Sequence, residues 1–377
     1  MRVLLTGSSG WLGRYLAPML RQAEHECIGL DVVAGADTDI VGTVADRALI
    51  DRIFADRGIE AVIHGGALHK PDIARYPAQA FIDTNVTGTL NLLEAAARAG
   101  HDRFVFTSTT SLMISQAIRD EDGDKAVWLT ETTGPLAPRN IYGVTKLAAE
   151  GLCRLYSADH GLNAIVLRTG RFFPEEDDTH RALSGENMKA NEFLNRRLTV
   201  EDAAAAHLAA LERAPEVGHD IFIVSAATPF APHEATELKA DSPTVIARHF
   251  PDIAALYAAR GWSLPRSIGR VYDAGHMERR LGYRCATDFA SVLDAMRSGT
   301  EMPFAHDADY ISPMISRASL APPLRRHAEA TGAACQGPAR PRHRSRRHRH
   351  RAWPAIAPVR SNRSRTTRRT TAPAPSS

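Results

Sequence analysis

Tyr142 and Lys146 stand four residues apart in the run Tyr142-Gly143-Val144-Thr145-Lys146. On a helix that spacing puts a phenol and an ammonium on one face. A cation held beside a phenol favours the phenolate and lowers its pKa. Such a pair can take a proton from a substrate hydroxyl, or return one, near neutral pH. Alone, a tyrosine and a lysine at this spacing are most often just a helix face, so the chemistry depends on what the rest of the chain sets beside them.

The chain opens with Thr6-Gly7-Ser8-Ser9-Gly10-Trp11-Leu12-Gly13, directly after a short apolar run. In a strand–loop–helix turn of this kind the first glycine permits the tight turn. The second lets backbone approach a pyrophosphate, and the third lets the helix pack closely on the strand. The helix N-terminus then stabilises the phosphate charge. Asp31 closes the next strand, 18 residues after Gly13. A carboxylate there accepts from a ribose 2′-hydroxyl and repels a 2′-phosphate. No Arg or Lys follows in Asp31-Val32-Val33-Ala34, so NAD is favoured over NADP. The plainer alternative for the two features is a surface turn and a solvated aspartate.

The elements that would position these residues alternate in type. Apolar runs at Arg2–Thr6, Cys27–Asp31, Ala61–His64, Arg103–Thr107, Asn163–Arg168 and His219–Val224 read as strands. Helical periodicity covers Trp11–Gln22, Asp46–Arg57, Pro77–Ala99, the segment carrying Tyr142, and Val200–Arg213. This alternation predicts an α/β fold: a Rossmann-type, doubly wound parallel sheet covered on both faces. Residues 1–169, completed by 200–225, would form the NAD-binding domain. Residues 170–199 and 226–304 would form a small C-terminal substrate lobe, at the sheet edge where such folds bind ligands. Beyond about residue 305 the periodicity fails, and 305–377 reads as a disordered basic tail.

Composition supports this division. The net charge of +3 hides 14 arginines against one glutamate from Arg325 to Ser377. Subtracting that +13 leaves −10 for residues 1–324, so the basic balance is no sign of a nucleic-acid-binding core. Nucleic-acid binding would rest on the tail alone, and a solvated extension is the plainer role for it. Cys27, Cys153, Cys285 and Cys335 lack metal-ligand spacing and fit a reducing compartment. With no signal peptide and no apolar run long enough to cross a bilayer, a cytoplasmic protein without membrane association is expected. His64 and His69 are not flanked by clustered carboxylates or thiols, so no metal site is expected, and a cofactor-loop role suits them better.

Taken in order, these segments resemble the extended short-chain dehydrogenase/reductases, and within them the NAD-dependent epimerase/dehydratase family. The resemblance extends to His64-Gly65-Gly66-Ala67, Asn85-Val86-Thr87-Gly88-Thr89, Phe104-Val105-Phe106-Thr107-Ser108-Thr109, Leu198-Thr199-Val200-Glu201-Asp202-Ala203-Ala204 and Leu281-Gly282-Tyr283-Arg284. It implies catalysis by Thr109, Tyr142 and Lys146, with Ser108 and Ser111 as rivals for the hydroxyl. It implies that Gly7, Gly10, Trp11, Leu12, Gly13, Asp31, Val44, Gly66, Ala67, Asn85, Tyr142 and Lys146 bind the cofactor. Pairing through the helices around Pro77–Ala99 and Arg139–Ala158 is the assembly it implies.

Departures narrow the chemistry. The chain has Thr43-Val44 where many members place an acidic residue before an apolar one, which leaves adenine contact to Val44 packing. Thr109-Thr110-Ser111-Leu112-Met113 carries no carboxylate after the hydroxyl, unlike the family's sugar-nucleotide dehydratases, so dehydration is disfavoured. Arg171 replaces the asparagine of many epimerases, and Arg168-Thr169-Gly170-Arg171-Phe172-Phe173-Pro174-Glu175 is similar to a turn of the uronate dehydrogenases. His180, Arg181 and Lys189 are candidates for an anionic substrate, with solvated charge the plainer alternative. The expectation is an NAD-dependent oxidoreductase or epimerase acting at a carbinol carbon of a sugar, sugar acid or sugar nucleotide. Its rival is an NAD-binding regulator or scaffold without turnover.

Overall fold

Seven parallel strands form one sheet in the computed structural model, which describes residues 1–173 and 185–304. In chain order they are β1 (Arg2–Thr6), β2 (Glu26–Asp31), β3 (Ile40–Val41), β4 (Ala61–His64), β5 (Phe104–Thr109), β7 (Ala164–Thr169) and β8 (Asp220–Val224). Their spatial order is β3-β2-β1-β4-β5-β7-β8. The chain winds outward from β1 to β3, then returns to β4 on the other side. The resulting crevice at the carboxyl ends of β1 and β4 is where such sheets bind ligands. Every residue of β4 and β7 is buried, as expected of parallel strands covered on both faces.

Helices α1 (Trp11–Gln22), α2 (Arg47–Arg57), α3 (Gly88–Arg98), α4 (Ile141–His160), α5 (Gly185–Phe193) and α6 (Val200–Val217) supply most of the cover. Leu16, Ala17 and Leu20 of α1 pack with Ala203, Ala206, Ala210 and Leu211 of α6 in one core layer. On the opposite face Leu92, Leu93 and Ala96 of α3 join Ala149 and Cys153 of α4. The Asp46 side chain accepts from Leu49 N–H at 3.0 Å and starts α2. Asn140 does the same for α4, accepting from Gly143 N–H at 2.9 Å.

Two differences from the sequence-based expectation concern the site. The segment expected as one helix over Pro77–Ala99 is a short helix, Ala78–Phe81, then a π turn, Ile82–Thr87, running straight into α3. Such π turns widen a helix locally and recur at functional sites; this one carries Asn85. Strand β5 runs on through Ser108 and Thr109, although the Thr-Ser-Thr composition reads as loop. In-register pairing of Ser108 with Arg168 and Thr109 with Thr169 extends it. Ser108 Oγ donates to Glu150 at 2.6 Å, so the hydroxyl is buried without loss.

A second, smaller core gathers Phe193 and Leu194 with Leu238, Ile246, Tyr257, Val271, Phe289 and Leu293. Two unforeseen short strands, β6 (Val127–Leu129) and β9 (Arg270–Tyr272), pair in parallel beside it. The acidic run Glu175-Glu176-Asp177-Asp178, His180, Arg181 and the basic tail lie outside the described residues. Lys189 is buried on α5. Among the described residues no helix is long and apolar enough to cross a membrane, and Cys27, Cys153 and Cys285 are free thiols.

Glu150 of α4 and Arg168 of β7 form a two-pronged buried ion pair, Nε to Oε1 at 3.0 Å and Nη2 to Oε2 at 2.8 Å. Removing one partner of such a pair strands a buried charge. Arg168→Leu is therefore expected to lower the unfolding free energy by about 3–5 kcal/mol, read from urea denaturation. A loss below 1 kcal/mol would mean the pair does not anchor α4 to the sheet.

Candidate active site

The loop after β1 is shaped as a cradle. Gly7 has φ of +77°, and a Cβ there would lie 2.8 Å from Gly66 N. A Cβ on Gly13 would lie 2.3 Å from the Gly7 carbonyl oxygen, so α1 can sit this close only with glycine. Gly10 begins α1 without a side-chain cap, which leaves the first amides of the helix for an anion. The cavity over this loop is lined by Gly7, Gly10, Trp11, Leu12, Gly13, Asp31, Val44, Gly66 and Ala67, all expected cofactor residues, and extends to Thr107, His69 and Phe173. At the β2 end Asp31 is held by Ser9 N–H on Oδ2 at 3.0 Å and by Val33 N–H on Oδ1 at 3.1 Å. A glycine cradle, a helix terminus without a side-chain cap and a fixed carboxylate together fit a dinucleotide with an unmodified ribose.

Asn85 lies beneath the cavity rather than in its wall. Its side chain accepts from Leu68 N–H at 2.8 Å, donates to the Leu68 carbonyl at 2.9 Å and donates to Thr145 Oγ1 at 3.1 Å. It thus clamps the loop after β4 to α4. His64, buried at the end of β4, makes a second tie. Gly66 N–H donates to Thr6 Oγ1 at 3.0 Å, which leaves the Thr6 proton for His64 Nδ1 at 2.7 Å. Thr89 spends its proton on the Asn85 carbonyl at 2.7 Å and so accepts from His64 Nε2 at 3.0 Å. These directions assign His64 as the neutral Nε2–H tautomer. Burial and the nearby Lys146 charge agree, pulling its pKa down to about 3.

Thr109 and Tyr142 meet at the other end of the site. The Thr109 side chain accepts from Ser111 N–H at 3.1 Å and lies close enough to the Tyr142 phenol to favour its ionised form. Ser108 points to the opposite face of β5, toward Glu150. Lys146 is buried one helical turn below Tyr142, with Nζ 4.1 Å from the centre of the Phe106 ring. Burial pushes the phenol up to about 12; Thr109 opposes this and the Asp72 charge adds to it. Burial pulls Lys146 down to about 7 against the Cys153 and Glu150 charges. The expected lowering of the phenol by Lys146 is therefore not met in the free protein. Desolvation governs both groups and outweighs their proximity.

Three features were not foreseen. Asp72 is buried with Oδ2 accepting from His69 N–H at 2.8 Å and Oδ1 3.8 Å from Arg75 Nη1; the Lys70-Pro71-Asp72 turn was its only signal. Phe173 packs at a tilt against His69, ring centres 5.3 Å apart, and lines the cavity. His207, a lone polar residue in an alanine-rich helix face, accepts from the Thr107 hydroxyl at 2.7 Å and donates from Nδ1 to the Ala203 carbonyl at 2.7 Å. Burial keeps His207 neutral, with its pKa down to about 4. Among the described residues no group of acidic, histidine and cysteine side chains could hold a metal.

With this geometry in view, comparison with known proteins is direct. The model of the NAD dependent epimerase/dehydratase family matches residues 3–224. The chain belongs to that family. NAD is the family's cofactor, and its members include epimerases and dehydrogenases. A UDP-glucose 4-epimerase of Azospirillum brasilense is 29% identical over 176 residues, 44% of this chain and 48% of that protein. The match thus spans about half of that relative. A uronate dehydrogenase of Pseudomonas syringae pv. tomato is 26% identical over 229 residues, 58% of this chain and 72% of the other. The crystal structure of a Thermotoga maritima UDP-glucose 4-epimerase with UDP-glucose superposes with a TM-score of 0.55 at 20% identity, covering 80% of this chain and all of that one. It shares the fold.

The buried neutral His64 makes a pH-dependent contribution with a definite sign. Below its unfolded value of 6.5 the unfolded chain takes up a proton that the folded protein refuses until about pH 3. Stability is therefore lost as pH falls through that window. Between pH 6 and 4 the wild type is expected to lose about 1.4 kcal/mol per pH unit more than His64→Asn. Chemical denaturation at fixed pH values checks this, and equal slopes would refute the neutral tautomer.

Proposed function

We propose that the protein moves hydride between NAD and a carbinol carbon of a carbohydrate-like substrate, as a dehydrogenase or an epimerase. The observation that carries this is the placing of Thr109 beside the Tyr142 phenol at the carboxyl end of β5, two residues along the strand from Thr107 in the wall of the cavity. When bound, NAD accepts the hydride and, in an epimerase, returns it. Thr109 holds the substrate oxygen beside the phenol. Tyr142 exchanges the hydroxyl proton, and substrate binding that excludes water keeps this exchange within the pair. Lys146, brought to about 7 by burial, is poised to gain or lose a proton at working pH. Dehydration is disfavoured because Thr110 and Ser111 stand where a second acid and base would be needed.

Tyr142→Phe is expected to lower kcat by about 10²–10⁴-fold while NAD affinity stays within twofold. NADH absorbance and product stereochemistry, followed over a panel of sugars, uronates and sugar nucleotides, report both activities. Undiminished turnover in the variant would overturn the role given to Tyr142, and a wild type that turns over no member of the panel would leave the regulator reading standing.

We also infer that the protein pairs through α4 and the segment ahead of α3. Val144 and Leu155, on the outer face of α4, are exposed, as is Ile82 on the π turn. Val144→Glu together with Leu155→Glu is expected to convert a dimer to a monomer in sedimentation. An unchanged sedimentation coefficient for the wild type and the double variant would refute it.

A further inference from the structure

Behind Asp31 the chain from Val33 to Asp39 folds back onto the glycine loop and is fastened there by three hydroxyls. Ser9 Oγ donates to the Val33 carbonyl at 2.8 Å. A serine hydroxyl has one proton to give, so in its 2.6 Å contact with Thr38 Oγ1 the Ser9 oxygen accepts and Thr38 donates. Thr38 Oγ1 in turn accepts from Ser8 Oγ at 2.8 Å. The protons therefore run one way, from Ser8 to Thr38 to Ser9 to the Val33 carbonyl. Ser8 and Ser9 are both buried.

The backbone around these hydroxyls is tightly fitted. A Cβ on Gly35 would lie 2.5 Å from Ser9 Oγ, and one on Gly29 of β2 would run into the Asp37 carbonyl. Thr38 N–H donates to the Gly35 carbonyl at 3.2 Å, a turn that brings Thr38 back to Ser9. Gly29 N–H donates to Asp39 Oδ2 at 2.7 Å, and Asp39 N–H donates to the Gly29 carbonyl at 3.0 Å. The segment is thus stitched to β2 as well as to the glycine loop. Arg21, a cation beside it, is paired with Asp37 at 2.7 Å.

A ribose 2′-hydroxyl needs only an acceptor, which Asp31 is. A phosphate on that hydroxyl brings negative charge and three acceptor oxygens past the carboxylate, toward the groups that hold Asp31. Those groups have already committed their protons. Ser9 N–H and Val33 N–H are on Asp31, and the Ser8, Thr38 and Ser9 hydroxyls are spent along their own chain. An anion set against oxygens with no donor turned toward it loses its hydration without replacement. We propose that the Ser8–Thr38–Ser9 hydroxyl chain is a determinant of cofactor choice separate from the Asp31 charge: it withholds both the space and the donors that a 2′-phosphate needs, so that removing the charge alone does not admit NADP.

The test is calorimetric titration of the full chain with NAD and with NADP. The wild type is expected to bind NAD more tightly by about 100-fold. Asp31→Asn is expected to weaken NAD while leaving NADP within threefold of its wild-type affinity. Adding Thr38→Ala, which removes the middle of the hydroxyl chain, is expected to raise NADP affinity tenfold or more over Asp31→Asn. Thr38→Ser in the same background keeps the chain and is expected to give no gain. Adenosine 5′-monophosphate and adenosine 2′,5′-bisphosphate, titrated into the same proteins, are expected to repeat the pattern without the nicotinamide half. Equal affinity for NAD and NADP in the wild type or in Asp31→Asn overturns the proposal, as does a double variant that binds NADP no better than Asp31→Asn. Should Asp31→Asn not fold, Thr38→Ala alone decides: the preference for NAD is expected to shrink threefold or more, and an unchanged preference overturns the role of the chain.

Discussion

The site depends on one side chain that faces two ways. Asn85 satisfies both backbone groups of Leu68 and also reaches Thr145 on α4. Without it, the loop after β4 has a buried N–H and a buried carbonyl with no partner, each costing about 1–3 kcal/mol. The π turn makes this reach available, because the extra residue in the turn swings Asn85 off the regular helix face. His64 then carries the constraint from the Asn85 carbonyl through Thr89 and Thr6 to the Gly66 amide, opposite Gly7. Cradle, loop and the helix carrying Tyr142 and Lys146 are therefore joined by one chain of hydrogen bonds. The Thr6 and Thr89 hydroxyls each have a single direction to donate, so the part of the chain through His64 specifies one arrangement.

Electrostatics in the free protein work against the acid/base pair. Burial alone moves Tyr142 and Lys146 toward their neutral forms, up to about 12 and down to about 7. Thr109 is the one neighbour that favours the phenolate. Asp72 opposes it from the turn behind His69. Charge can be introduced into such a site only with a compensating partner. Under the proposed function, the bound cofactor and substrate would be those partners. This follows from desolvation, and it separates the resting site from the working one.

Much of this was legible in the sequence, for identifiable reasons. Strand β1, helix α1 and strand β4 were expected to the residue, because apolar runs bounded by glycine or histidine leave little freedom in register. Asp31, Val44, Gly66 and the glycines fall in the cavity wall because backbone geometry, not side-chain packing, defines that wall. What escaped was polar chemistry whose partners are distant in sequence. The pairing of β5 beyond Thr107 depends on β7, some 60 residues on, and the hydroxyls of Thr107 and Ser108 are buried by His207 and Glu150. The π turn is hidden from a periodicity argument, because α-helical spacing resumes directly after it at Gly88. The Lys146 effect on Tyr142 was misjudged because spacing supplies proximity and says nothing about desolvation.

The wall made by Phe172 and Phe173 connects the glycine loop to the buried Arg197. On one side these rings, stacked at 4.5 Å, line the cofactor cavity, and the Phe172 carbonyl accepts from Trp11 Nε1 at 3.2 Å. On the other side the Phe173 carbonyl accepts from Arg197. This single segment therefore ties the start of α1 to Arg197 through two hydrogen bonds to its backbone carbonyls.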